Sequence, residues 1–188
     1  MFDVVKLLSD KQVHRVLVFN DKGALENIIT QSAVLHQFRN HLEYLGELGL
    51  KTMDELNLGT TTVLSIKISA STIDAFRLLR THKLYAVPVV NEDNKLVGNI
   101  SAKDIYSTCS SPAHLYLLYA SLSVFFEQQD HQEAMNDSIT CSGNAKLIEV
   151  IGKLVDNKVH RVYLVDDNQS IQKIITLTDI LKLFSDSN

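Results

Sequence analysis

Three places in the chain put a hydroxyl, or a hydroxyl and a carboxylate, where an apolar strand gives way to a helix. They are Thr30-Gln31-Ser32-Ala33, Ser101-Ala102-Lys103-Asp104 and Thr176-Leu177-Thr178-Asp179. A carboxylate there can accept two hydrogen bonds, and the helix N-terminus beside it favours anions. Upstream of each lies a polar landmark: His14-Arg15, Tyr85 and His160-Arg161. In every case 19 residues separate the first landmark from the last: His14 to Ala33, Tyr85 to Asp104 and His160 to Asp179. Basic residues at one strand mouth, beside a helix N-terminus at the end of the next strand, suit a small anion.

Fixed spacing without gaps marks an internal repeat, and the fold is read from it. The third copy gives strand Ser138–Cys141, helix Ala145–Asn157, strand Val162–Val165, the turn DDNQS, strand Ile171–Thr176 and a helix to Phe184. The second gives strand Thr62–Ile68, a cap at Ser71, helix Thr72–His82, strands Tyr85–Val90 and Lys95–Ser101, and helix Ala102–Cys109. The first starts inside its leading helix at Phe2–Leu8 and continues through strands Val16–Phe19 and Leu25–Ile29 to helix Ser32–Leu45. Met53–Leu58 reads as a short helical turn. Ser111-Pro112 opens a connector helix whose stripe is Leu115, Leu118, Tyr119, Leu122 and Phe125. Glu127–Asp137 is polar and expected to be exposed. The expected class is α+β, built from β-α-β-β-α units: an incomplete copy over 1–45, a copy over 60–110, a connector over 111–137 and a copy over 138–188. One unit cannot bury both faces of a three-stranded sheet, so the two complete copies are expected to pair.

Composition narrows the function classes. The apolar content of 45% and charged content of 21% are those of a soluble globule, and the formal charge of -4 argues against a nucleic-acid surface. Cys109 and Cys141 have no metal or redox spacing and fit a reducing compartment. The N-terminus lacks the pattern of a signal peptide, and Leu115–Phe126 is too short to span a bilayer. The expected location is the cytoplasm, with the nucleus also open. No GxGxxG or GxxxxGK[ST] occurs, no nucleophile motif is visible, and His36 and His41 lie five apart, off metal spacing.

The repeat resembles a CBS domain, and the chain is similar in particular to the γ (regulatory) subunit of the AMP-activated protein kinase family. The likeness rests on the three signatures above, on MDELNLGT at 53–60 and on HRVYLVDDN at 160–168. It implies two complete copies paired as a Bateman-type module beside an incomplete N-terminal copy, with the family's first repeat lacking a counterpart. It also implies AMP, ADP or ATP as regulatory ligands rather than a cofactor. Asp104 and Asp179 would hold ribose hydroxyls. Lys83, His160 and Arg161, with His14 and Arg15, would meet phosphates. Tyr85, Ala86, Leu64 and Ile139 would line the adenine slots, and Thr60, Ser101, Thr176 and Thr178 would supply hydroxyl or backbone contacts. Ala33 removes the ribose acceptor from the first copy, and Tyr85 replaces the histidine of the second. The implied partners are kinase catalytic and scaffold subunits or a second copy of the chain.

Structural readings stand beside these. An acid opening a helix is often only a cap, and a basic residue on a strand edge often only guards against edge pairing. The expected function is a non-catalytic adenine-nucleotide sensor for a partner kinase. Its rivals are a ligand-free interaction module and an enzyme of nucleotide metabolism, for which no base–nucleophile pair is visible.

Overall fold

The computed structural model describes residues 2–11, 13–109, 111–128 and 138–185. Its strands are β1 (Arg15–Phe19), β2 (Leu25–Thr30), β3 (Ile66–Lys67), β4 (Ala86–Val90), β5 (Leu96–Ser101), β6 (Thr140–Cys141), β7 (Arg161–Val165) and β8 (Ile171–Thr176). They form three small sheets, ordered β1-β2, β3-β4-β5 and β6-β7-β8. In the second sheet β4 and β5 are antiparallel, with Ala86 opposite Ser101, while β3 runs parallel to β4. The first copy has only its hairpin, Arg15 opposite Thr30. One backbone bond recurs in all three copies and ties each landmark to its signature. Gln31 donates to the His14 carbonyl at 3.2 Å, Ala102 to Tyr85 at 2.8 Å, and Leu177 to His160 at 3.4 Å.

Three expected elements are corrected. The helix expected over Ser32–Leu45 spans Gln31–Asn40, because His41 leaves helical geometry and Gly46, at φ +51, cannot continue it. Two 3-10 turns follow, Leu42–Tyr44 and Gly46–Leu50. The strand expected over Thr62–Ile68 shrinks to Ile66–Lys67. A β-branched run becomes strand only where a ladder partner exists, and β4 supplies one at Val89 and Val90 alone. The connector is not one helix but a 3-10 helix, Pro112–Leu118, and an α-helix, Leu122–Glu127. The backbone between them bonds to residues 70–72 instead: Thr72 donates to the Ala120 carbonyl and Leu122 to that of Ala70, both at 2.9 Å. Leu122 and Phe125 of the expected stripe are accordingly buried, while Tyr119 is 77% exposed. Residues 129–137 of the polar segment lie outside the described residues.

The chain divides into two compact units. The first holds residues 1–61, 141–164 and 173–188, so the incomplete copy shares a unit with most of the third. Helix Phe2–Asp10 packs on helix Leu177–Ser185, and helix Gln31–Asn40 packs on helix Leu147–Asp156. Val5, Leu8, Leu35, Ile151, Ile180 and Leu181 are fully buried in this unit, and the rings of Phe38 and Phe184 lie 4.6 Å apart. Arg39 reaches Asp156 at 3.5 Å across Gly152, where an added Cβ would stand 3.4 Å from the arginine Nε. On the hairpin of the first copy, Leu17, Phe19, Leu25 and Ile28 are each about half exposed.

The second unit holds residues 62–140 and 165–172. Helix Thr72–His82 lies over β4 and β5, with Ala75, Val87, Val89, Ile100, Leu117 and Phe125 in the core. Among the described residues no helix is long and apolar enough to cross a membrane.

Candidate functional site

The site is built at the end of β8, in the first unit. Thr176 closes the strand and caps the helix that follows. Its backbone N–H and its hydroxyl both donate to Asp179 Oδ2, at 2.8 and 2.7 Å, while Asp179 N–H returns a bond to the threonine oxygen at 3.3 Å. This is a capping box with aspartate in the third helical position. The carboxylate is half-buried and fixed by one oxygen. Its other oxygen, Oδ1, accepts no hydrogen bond among the described residues and stands at the positive end of a nine-residue helix.

Around this acceptor the unit gathers further polar groups. Thr60 pairs with Ile174 on β8 through two backbone bonds, 2.9 Å from the Thr60 N–H and 3.0 Å to its carbonyl. Gly59 makes that approach possible: at φ +91, an added Cβ would stand 2.5 Å from the Ile174 oxygen. His160 is exposed, with Nδ1 3.5 Å from the Ser32 hydroxyl of the incomplete copy. Gln31 is buried and spans from the Val13 carbonyl, 3.2 Å away, to the Thr178 hydroxyl at 3.0 Å.

Several expected site residues thus have structural work already. The Thr178 hydroxyl is engaged by Gln31. Arg161 is half-buried beside the Tyr163 hydroxyl, and its charge and hydrogen bond draw that phenol's proton affinity down. Burial prevails and leaves the phenol well above its ordinary value of 10.0. His14 and Arg15 are exposed at the start of β1. The first copy keeps only half of the capping box. Thr30 Oγ1 accepts from the Ala33 N–H at 3.1 Å, and no carboxylate answers it.

The second unit repeats the two donated bonds of this box in its own frame. Ser101 N–H and hydroxyl donate to Asp104 Oδ2 at 2.6 and 2.8 Å. Leu64 and Ile139 are half-buried in this unit, Ala86 is buried, and Tyr85 is 68% exposed. Lys83 has φ +54, the left-handed conformation that ends helix Thr72–His82, and Leu84 N–H reaches back to the Leu79 carbonyl at 2.9 Å. Lys158, 75 residues later, has φ +53 and the same closing bond, Val159 to Leu154. Lys83 is therefore a helix terminator as well as a cation. Among the described residues no group of three His, Cys, Asp or Glu side chains could hold a metal ion.

Sequence reasoning quoted Ser32 only within the first signature and gave Gln31 and Gly59 no role. Gln31 carried a signal: the copies have Ala102 and Leu177 at that place, so a glutamine there is a polar residue at an apolar repeat position.

Comparison with known proteins agrees with the repeat. Over 198 residues the chain is 31% identical to the SNF1-related protein kinase regulatory subunit gamma-1 of Arabidopsis thaliana, covering 96% of this chain and 47% of that protein. It is 26% identical to the 5'-AMP-activated protein kinase subunit gamma-3 of Bos taurus, over 97% of this chain and 37% of that one. The chain thus spans about half the length, or less, of these curated relatives. Among solved structures, a Methanocaldococcus jannaschii protein proposed as an archaeal homologue of the AMPK γ subunit superposes with a TM-score of 0.72. It is 23% identical, over 97% of this chain and 63% of its own. The CBS domain pair of another M. jannaschii protein, solved with 5'-methylthioadenosine and S-adenosyl-L-methionine, gives 0.56 at 21% identity, over 74% of this chain and 99% of that one. The family model described as CBS domain matches residues 55–110 and 132–186. With the α+β repeat, the capping boxes and this match in agreement, the chain belongs to the CBS domain family.

Proposed function

We infer that the chain is a non-catalytic regulatory module that binds adenine nucleotides and reports their charge state to a partner kinase. The observation that carries this reading is the Asp179 carboxylate. Thr176 holds it by Oδ2 alone, which leaves Oδ1 without a hydrogen bond among the described residues. A ribose diol is a fitting donor for such an oxygen. His160 and Ser32, brought together in the same unit, offer polar contacts to a phosphate. Asp104 presents the same box in the second unit, with Lys83 and Tyr85 as its local polar groups. The γ-subunit names of the relatives and the adenosine-containing ligands of one CBS-pair structure support the same ligand class.

Regulation of a kinase requires that the partner distinguish the nucleotide states, since a ligand shifts a conformational balance only by its differential affinity. AMP, ADP and ATP share the ribose and differ in phosphate charge, so the acid fixes the class and the basic rim discriminates within it.

A second reading has its own support. Both aspartates already serve as helix caps, so the carboxylates would persist in a ligand-free interaction module. Thermal unfolding of the full chain with AMP, ADP or ATP separates the two. A specific nucleotide at 100 times its Kd stabilises the fold by about 2.7 kcal/mol, whereas the ligand-free module melts unchanged.

A further inference from the structure

Gln31 stands at a repeat position that the complete copies fill with Ala102 and Leu177, and it is only 4% exposed. A buried amide is costly unless its polar atoms are paired. Its nitrogen lies 3.2 Å from the Val13 carbonyl oxygen, which can only accept, so this contact fixes which way the amide faces. The same nitrogen lies 3.0 Å from the Thr178 hydroxyl oxygen. An amide nitrogen only donates, so the hydroxyl accepts there and keeps its own proton to give. The amide oxygen stands 3.4 Å from that hydroxyl, beyond the usual O–H···O range. Among the described residues the Thr178 hydroxyl has no other hydrogen-bond partner.

The direction of that proton matters because of where Thr178 sits. It lies in the first turn of helix Leu177–Ser185, beside Asp179, where anions are favoured. In the second unit the equivalent residue is Lys103, whose ammonium carries donors only and needs no orienting. A threonine hydroxyl can turn either way, and only its hydrogen suits an anion. Gln31 removes the choice. The first copy, whose own signature ends in Ala33 instead of an acid, thereby reaches the signature of the third.

We propose that Gln31 is a positioning residue for the Asp179 site: by donating to Thr178, it commits that hydroxyl to donate in turn to a phosphate oxygen of the bound nucleotide. The inference rests on the nucleotide reading of that site and adds to it a selection for the phosphorylated ligand over its nucleoside. The 3.4 Å contact to the amide oxygen is weak, and a charged phosphate oxygen is the better acceptor.

Calorimetric titrations of AMP and of adenosine into the full chain give the ratio of the two affinities, which isolates the phosphate. Gln31→Met keeps the length of the buried side chain and removes both donated bonds. It should lower the AMP-to-adenosine affinity ratio roughly tenfold, the worth of one charge-assisted hydrogen bond. Thr178→Val should lower the ratio by a similar factor, and the double variant no further than either, since the two residues act through one bond. A glutamine that serves the fold alone would weaken AMP and adenosine equally, and that unchanged ratio overturns the proposal. Losses that add in the double variant also overturn it, because Gln31 then acts on the phosphate by another route. Circular dichroism checks the fold of each variant. Should Gln31→Met not fold, an unchanged ratio in Thr178→Val alone overturns the proposal. A parent chain that binds neither ligand overturns the nucleotide reading and this inference together. A parent that binds both, with a preference indifferent to Gln31, overturns the inference alone.

Discussion

Thr176 donates both its backbone N–H and its hydroxyl to a single oxygen of Asp179, at 2.8 and 2.7 Å, so this carboxylate is held by one oxygen and presents the other. Strand end, helix start and candidate ligand acceptor coincide in these two residues. Removing the acid therefore has a structural cost that is separate from any loss of ligand. Asp179→Ala is expected to lower stability by about 0.5–2 kcal/mol, the usual range for a lost cap. Urea denaturation without nucleotide measures it. A variant as stable as the parent would mean that the box contributes nothing to the fold.

His160 bears on a different part of the proposed ligand. It is exposed, and one of its contacts is the Ser32 hydroxyl at 3.5 Å, a long bond that a better acceptor can replace. His160→Ala should weaken AMP by roughly 10-fold, the worth of one charge-assisted hydrogen bond. Adenosine, which lacks the phosphate, should bind both proteins alike. Parallel losses for AMP and adenosine would remove His160 from the phosphate.

Stability should fall on the alkaline side. Burial pushes the Cys141 thiol from 9.0 up to about 11, against the opposing charge of Lys153. Burial also raises the Tyr163 phenol above its ordinary 10.0, against the pull of Arg161. The folded protein holds both protons more tightly than the unfolded chain. Their contribution is complete below pH 9 and is lost as pH rises, through 9.0 to about 11 for Cys141 and from 10.0 upward for Tyr163. Denaturant midpoints measured from pH 8 to 11 should decline, and Cys141→Ala should flatten the earlier part of that decline. A midpoint constant to pH 11 contradicts the assignment.

Gly59 admits no side chain. At φ +91, with the Ile174 oxygen 2.5 Å and Ile175 Cγ1 2.9 Å from an added Cβ, alanine must break the bonds between Thr60 and Ile174 or distort β8. Gly59→Ala is expected to cost about 1–3 kcal/mol, read as a lower melting temperature. Unchanged melting would show that the linker is not held to the strand.

Much of this was legible in the sequence because the repeat supplied three readings of each element. The hairpins and the helix over Thr72–His82 follow from apolar spacing and turn residues, and the acids stand at the helix starts that their spacing implies. The connector was not legible, because its break at residues 119–121 comes from backbone bonds to residues 70–72, fifty positions away, which no local periodicity records. The helix pairing of the first and third copies was also hidden. Apolar stripes on Phe2–Asp10 and Gln31–Asn40 announce that something covers them but do not name it. The helix-start positions of Asp104 and Asp179, each in its own unit, were readable from spacing. The engagement of Thr178 by Gln31 and of Arg161 by Tyr163 depends on tertiary contacts that the motif does not encode.

The central claim is that Asp179 is a ribose acceptor, and Asp179→Asn tests it with the least disturbance, since an amide oxygen can still cap Thr176. Calorimetric titration of AMP into the full chain should give saturable binding that ADP and ATP compete for. In the Asp179→Asn variant the affinity should fall roughly 10- to 150-fold, the loss of about 1.5–3 kcal/mol expected for a hydrogen bond to a charged group. Equal affinities in the two proteins, or no binding heat in either, would contradict the account.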